Sequence, residues 1–187
     1  MPDEVVIALS GTTSPPRLSM TTRFRVSIVT DPPERNAAAN RNRVLALLKG
    51  TVILYQDADD VPHPQRVEIV RHLFACYEID HLMHGFVHAH AEGGAHDAWR
   101  AGRYALQYVE QTLQSHRQYR HDYGFTNGNP AVSRDLLGRI RWPEERRVGE
   151  DVAFNMRAYE SAGAAGRCAV LPLPLLLYRQ HLSATAR

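Results

Sequence analysis

Lysine is nearly missing: of 22 lysines and arginines, only Lys49 is a lysine. Positive charge therefore sits on arginine, whose planar, forked guanidinium suits phosphate oxygens. Net charge is scarce as well. At +2 the chain carries no strong overall field toward nucleic acid or a membrane surface, and neither is expected as a partner. Cysteine is limited to Cys76 and Cys168, with no CxxC and no Cys/His pairing read around them. That suggests free thiols in a reducing compartment rather than a disulfide scaffold or a zinc cage. No apolar run is long enough to span a bilayer, and no signal-peptide pattern opens the sequence. Repeats, low-complexity tracts and linkers are missing too. The expectation is a single cytoplasmic domain over residues 1–187.

What is present reads as alternating strands and helices. With 187 residues and 44% hydrophobic content, the chain can bury a sizeable core. "EVVIALSG" is a β-branched, apolar run stopping at Gly11, and it reads as a buried strand. "TTSPPRLSMTTR" allows a loop or a short helix at most. "FRVSIVTD" is a second strand, and residues 34–48 form a helix with Val44, Leu47 and Leu48 on one face. "TVILYQD" is a third strand. Such an order predicts an α/β fold with a mainly parallel central sheet flanked by helices. Further on, Val67, Val70, Phe74 and Tyr77 share a helical spacing, "HLMHGFVHAH" alternates as a strand, and residues 99–114 read as one helix with Tyr104, Tyr108 and Leu113 inward. A helix over 151–162 carries Val152, Met156 and Tyr159 on its expected core face. The last strand is "AVLPLPLLLYRQ", with Pro172 and Pro174 placing part of it at an edge or entering from a loop.

Chemistry concentrates in "VILYQDADDVPHP". Asp57, Asp59 and Asp60 directly follow an apolar strand, where ligands bind in open parallel sheets. Three like charges this close repel one another. A hard divalent cation such as Mg²⁺ or Mn²⁺ relieves that repulsion and leaves coordination positions open for phosphates and water. The plainer alternative is that Asp60 caps the next helix while the other two are solvated. An EF-hand fits Asp57, Asp59 and Glu68 at its first, third and twelfth positions, but Val61 and Pro62 stand where a ligand and the turn glycine are needed.

The stretch "GTVILYQDADDVPHPQR" resembles the central motif of the family 2 glycosyltransferases of the GT-A fold. Upstream, "AAANRNRVLALLKG" is similar to the family's Ala-Arg-Asn helix, with Arg41 and Asn42 in the matching places. Downstream, "GNPAVSRDLL" resembles the strand and helix bordering the acceptor site, "RVGEDVAFNMRAYESAG" the Glu-Asp motif opening a helix, and "YRQHLSA" a common C-terminal element. The pieces stand in family order from Phe24 to Ser183. There are departures: Asp31 is the only match to the family's acidic loop after the second strand, and Arg43 and Val44 replace the glycine after Arg-Asn.

The resemblance implies an inverting, hexosyltransferase-like enzyme. It would move a sugar from a nucleotide-diphosphate sugar, a UDP-sugar being favoured, to a hydroxyl of a carbohydrate or other acceptor. It implies Mn²⁺ or Mg²⁺ held by Asp59, with His181 as a further ligand. Donor contacts would come from Asp31, Arg41, Asp57, Asp59 and Asp60. Gly128, Asn129 and Glu150 would lie on the acceptor side, and Asp151 would be the catalytic base. A partner subunit or homo-oligomer fits the short chain. The alternative is a degenerate GT-A domain that binds nucleotide or glycan without turnover. A nucleotidyltransferase fits poorly, because "SGTTSPPR" offers one Gly and one Arg after the first strand.

Each candidate has a plainer reading. Glu150 and Asp151 suit the positive end of a helix dipole without any catalytic role. Arg41 and Arg43 are equally at home on a solvated helix. His81, His84, His88, His90 and His96 crowd one region, and His88 with His90 has a zinc-compatible spacing; a polar surface strand is the stronger reading. His181 also fits a surface position after an edge strand. Tyr123, Phe125 and Trp142 flank the acceptor segment, as sugar-stacking rings or as packing.

Overall fold

The computed structural model describes residues 1–19, 21–89, 95–115 and 129–179. Strands β1 (Glu4–Ser10) and β2 (Arg25–Asp31) pair in parallel, from Glu4↔Arg25 to Ser10↔Asp31. They stand as a two-stranded sheet of their own. The buried strand expected at β1 is only half-buried along its length. The physical reason lies in the connection: no described residue from Gly11 to Phe24 is helical, so that segment offers no helical cover.

The second sheet carries β3 (Val52–Leu54), β4 (Val61–Pro62), β5 (His81–His88), β6 (Gln114–Ser115), β7 (Ala131–Ser133) and β8 (Cys168–Tyr178). Its order is β3-β7-β5-β8-β4, with β6 also on β8. The sheet system is mixed. Its two long ladders, β1–β2 and β5–β8, are parallel, and the four short ones are antiparallel.

β8 as a whole runs inside the sheet, with β5 on one side and β6 and β4 on the other; β6 meets Ala169–Val170 and β4 meets Leu176–Leu177, so Pro172 and Pro174 stand between those two short strands. Proline is tolerated because the β5–β8 ladder is irregular there: His84 pairs with Leu171, but Gly85 pairs with Pro174. A Cβ at Gly85 would lie 2.8 Å from the Pro172 carbonyl oxygen, so glycine fits where the bulged backbone passes closest.

Helices depart from the sequence pattern in instructive ways. α1 spans only Ala37–Arg43, opened by Asn36, whose side chain accepts from Ala39 N at 2.8 Å. Beyond it, Leu45–Leu47 tighten into a 3-10 turn that lets Leu45 and Leu48 pack on the core and leaves Leu47 exposed. α2 (Arg66–Cys76) buries Ile69, Val70 and Leu73, while Tyr77 lies outside the helix and exposed. The single helix expected over 99–114 is two: α3 (Ala95–Ala101) and α4 (Leu106–Thr112), with Val109 buried and Tyr108 exposed. α5 (Arg134–Leu137) is capped by Ser133.

α6 (Glu150–Ala162) turns the other way from expectation. Phe154, Asn155, Ala158 and Ala162 are buried, whereas Val152, Met156 and Tyr159 are 42%, 38% and 39% exposed. Both faces have helical apolar spacing. The alanine face wins because small side chains permit close approach and because Phe154 stacks on Trp142, with ring centroids 4.0 Å apart.

Candidate active site

The three aspartates follow β3 on a tight turn in which Asp60 N donates to Asp57 O at 3.3 Å. Asn129, buried just before β7, locks that turn. Its Oδ1 accepts from Asp57 N at 2.8 Å, and its Nδ2 donates to Asp60 Oδ2 at 3.0 Å and to Asp57 Oδ2 at 3.4 Å. Asp60 is only 7% exposed, and its Oδ1 accepts from Arg179 N at 3.0 Å. Burial shifts the Asp60 carboxyl upward from its usual range; the Arg179 N–H opposes this, and the charges of Asp57 and Asp59 add to it. Asp59 differs from both neighbours. It is exposed, and among the described residues it makes no hydrogen bond or ion pair.

Arg41 joins this turn to the start of α6. Its Nη2 donates to Asp57 Oδ1 at 2.5 Å, and its Nη1 lies 3.8 Å from Glu150 Oε1. The guanidinium sits over the Trp142 ring, 4.1 Å from the centroid. Gly149, with φ of 73°, supplies the left-handed residue just before α6. Glu150 and Asp151 then occupy the first helical turn, where the helix dipole favours negative charge. Asp151 Oδ1 also accepts from Val152 N at 2.8 Å.

Tyr178, at the end of β8, reports on all four carboxylates. Burial first shifts its phenol upward, and Asp60, Asp59, Asp151 and Asp57 each push it the same way. The charges of the acidic turn and of Asp151 thus act on one phenol. Phe86 and His88 flank that ring, each with a centroid 5.7 Å away.

Beneath the turn lies Arg66, fully buried at the start of α2. It donates to Gln56 Oε1 at 2.7 Å, Tyr55 O at 2.9 Å, Asn129 O at 2.7 Å and His84 Nε2 at 2.8 Å. Burial pulls its pKa down to about 9, while Asp57 and Asp60 support the charge, so it is a cation at neutral pH. His84 is pushed down to about 3, chiefly by burial and then by Arg66. Sequence reasoning missed this hub, since an arginine opening a helix after a proline reads as solvated.

The other candidates separate clearly. Asp31 pairs with Arg35 and, at 3.7 Å, with Arg43. Arg43 also donates to Leu9 O and Val29 O, tying α1 to the β1–β2 pair. Trp142 is a core residue, not a rim residue. β5 is no surface strand: His81 is buried against Asn155, and His84 serves Arg66. Gly128, Tyr123, Phe125, His90 and His181 lie outside the described residues, as does the side chain of His96. A cavity of about 590 Å³ is lined by Arg139, Ile140, Arg141, Arg157, Glu160 and Ser161, and none of the clustered aspartates reaches it.

The donor chemistry fits a divalent cation. Asp57 is committed to Arg41 and Asn129, and Asp60 to Arg179 and Asn129. Asp59 remains as an open, hard oxygen donor beside two like charges. Mg²⁺ and Mn²⁺ need little more from the protein, because phosphates and water complete the shell.

The model described as "Glycosyl transferase family 2" matches residues 2–141. The chain belongs to that family. Within family 2, the match takes in the acidic turn, Arg41 and Asn129, and it ends before Glu150 and Asp151. No curated protein matches the chain. Among solved structures, S. aureus TarS 1-349 in complex with UDP-GlcNAc is similar with a TM-score of 0.62 and 16% identity, over 86% of this chain and 44% of that one. Its complex with UDP gives 0.63 and 18%, over 83% and 44%. Glucosyl-3-phosphoglycerate synthase from Mycobacterium tuberculosis, in complex with Mn²⁺ and UDP-glucose, gives 0.56 and 18%, over 86% and 55%. These likenesses give the family 2 chain a GT-A fold. It spans about half the length of the structures it resembles.

Proposed function

We propose that this chain is a metal-dependent, inverting glycosyltransferase in a single GT-A domain over residues 1–187. Its donor is a nucleotide-diphosphate sugar, with uridine favoured, and its acceptor is a hydroxyl. Family membership supports the reaction class, and the UDP-sugar complexes of the similar structures support the donor. One observation carries the reading furthest: Asp59, exposed and without a hydrogen bond or ion pair among the described residues, stands on the acidic turn, whose charges act together with that of Asp151 on the Tyr178 phenol. In this reading Asp59 holds Mn²⁺ or Mg²⁺ together with the donor diphosphate, and His181 is a further ligand. The ion stabilises charge growing on the leaving diphosphate. Asp57 faces the donor, Arg41 and Asp60 hold the turn, and Asn129 fixes its backbone. Asp31 meets the nucleobase. Gly128, Asn129 and Glu150 border the acceptor, and Asp151 takes the proton of the attacking hydroxyl. The two free thiols, Cys76 and Cys168, keep the cytoplasm as the proposed compartment.

A panel of UDP-sugars, with and without Mn²⁺, tests this. Metal-dependent hydrolysis of at least one donor is the expected result. The second reading, nucleotide or glycan binding without turnover, is favoured by two observations: the half-buried β1–β2 pair and the engagement of Asp57 by Arg41. Nucleotide binding without hydrolysis or transfer across the panel would select it.

A further inference from the structure

A second cluster of metal-ligand types lies on α2 and α4, built from residues that the acidic turn does not use. His72 and Cys76 are four residues apart on α2, which puts their side chains on one helical face. Glu110 comes from α4, which packs beside α2. His72 Nε2 is 2.6 Å from Glu110 Oε1, and Cys76 Sγ is 3.8 Å and 3.9 Å from the two His72 ring nitrogens. One ligand atom from each residue lies within 4.8 Å of the others. The expectation that neither cysteine has a histidine partner is thus corrected: Cys76 has one in His72, at helical rather than CxxC spacing.

The geometry points to a three-ligand transition-metal site of the Zn²⁺ class, formed by His72, Cys76 and Glu110, which clamps α4 to α2. Around a tetrahedral zinc, with bonds of about 2.0–2.3 Å, ligand atoms stand roughly 3.3–3.6 Å apart. The Cys76 Sγ–His72 Nε2 contact, 3.9 Å, is already close to that. The His72–Glu110 contact must open by less than about 1 Å, and Cys76 Sγ and the Glu110 carboxylate, within 4.8 Å of one another, must reach the same spacing, which side-chain rotation on two solvent-facing helices allows. A thiolate, an imidazole and one carboxylate select a borderline-soft ion over Mg²⁺ or Mn²⁺, and so separate this site from the all-oxygen acidic turn. Three protein ligands leave a fourth position for water or a small ligand.

The test uses Co²⁺ as a spectroscopic probe on the full chain, followed by Zn²⁺ competition. The expected result is one Co²⁺ per chain with a sulfur-to-metal charge-transfer band, displaced by Zn²⁺ and not by excess Mg²⁺. Zn²⁺ should also protect Cys76 from a thiol reagent; Cys168 is buried, so the folded chain presents one reactive thiol. Cys76→Ser should remove the band, and His72→Ala and Glu110→Gln should each weaken binding at least about tenfold. Circular dichroism checks that each variant folds. Lack of the band in the wild-type chain, or no thiol protection by Zn²⁺, would overturn the site. So would a band of unchanged affinity in both His72→Ala and Glu110→Gln, since that is a lone thiol binding metal.

Discussion

Arg41 donates to Asp57 at 2.5 Å across a turn that ends one strand, and the same guanidinium lies 3.8 Å from Glu150 at the start of α6. Two acidic motifs far apart in sequence are thus held by one cation. Arg41 and Asp57 are only 12% and 28% exposed in their side chains, so water screens the pair weakly. Arg41→Met should cost about 1–3 kcal/mol of stability and loosen both motifs. Arg41→Lys should recover only part of that, because an ammonium cannot reach two carboxylates and also lie flat on Trp142. Urea unfolding of the three proteins gives the comparison; a lysine variant as stable as wild type would reduce the clamp to a simple point charge.

Asp59 is the exposed member of three like charges, so Asp59→Ala should change stability by no more than about 0.5 kcal/mol. What it should remove is the metal dependence of nucleotide binding. Calorimetric titration of UDP with and without Mn²⁺ reads this directly. Metal-strengthened binding that survives in the variant would place the ion elsewhere.

His84 links folding to pH. Its pKa is pushed down to about 3 from 6.5, so the folded chain keeps it neutral while the unfolded chain takes up a proton below 6.5. The unfolded state then binds more protons, and stability is lost as pH falls from 6.5 toward 3. A single such group contributes a slope of up to about 1.4 kcal/mol per pH unit. His63, also shifted downward by burial, adds to the slope. His84→Gln retains an acceptor for Arg66 but does not titrate, so melting temperatures measured from pH 7 to 4 should fall less steeply. An unchanged slope would mean that His84 is already protonated in the folded chain.

Gly85 tests the bulge. A methyl there meets the Pro172 carbonyl at 2.8 Å and Leu173 backbone atoms at 3.1 Å, none of them the end of a flexible side chain. Gly85→Ala should destabilise by about 1–3 kcal/mol. A denaturation midpoint equal to wild type would show that β8 shifts freely.

Legibility in the sequence depended on the kind of signal. The turn at Asp57–Asp60 was readable because three carboxylates ending an apolar run repel one another unless something charged or polar is held there. The order of motifs carried the fold, but strand-helix alternation did not carry the pairing: β1 and β2 pair in parallel with no described helix between them, and β3 joins the other sheet antiparallel to β7. The face of α6 was misread because Val152, Met156 and Tyr159 match helical spacing as well as Phe154, Ala158 and Ala162 do. The close approach at Ala158 and Ala162 and the stacking of Phe154 on Trp142 decide between them, and both are tertiary facts. Pro172 and Pro174 placed part of β8 at an edge or in a loop; they fall between the partners β6 and β4, and the bulge opposite Gly85 lets the rest of β8 run through the sheet. Arg66 left no trace in the pattern, because its four partners come from Tyr55, Gln56, His84 and Asn129.

Proton removal from the acceptor is the step on which the proposed reaction depends most. Asp151 lies in the first turn of α6, where the helix dipole favours negative charge. Its charge acts on Tyr178 together with those of the acidic turn. Asp151→Asn preserves shape and hydrogen bonding but cannot readily accept the proton. With a donor and acceptor pair found by screening, the turnover of Asp151→Asn is the most direct measurement. A fall of about 10²–10⁴-fold is expected, with donor affinity nearly unchanged. Near-normal turnover would contradict the assignment and move the base to another residue, with Glu150 the next candidate.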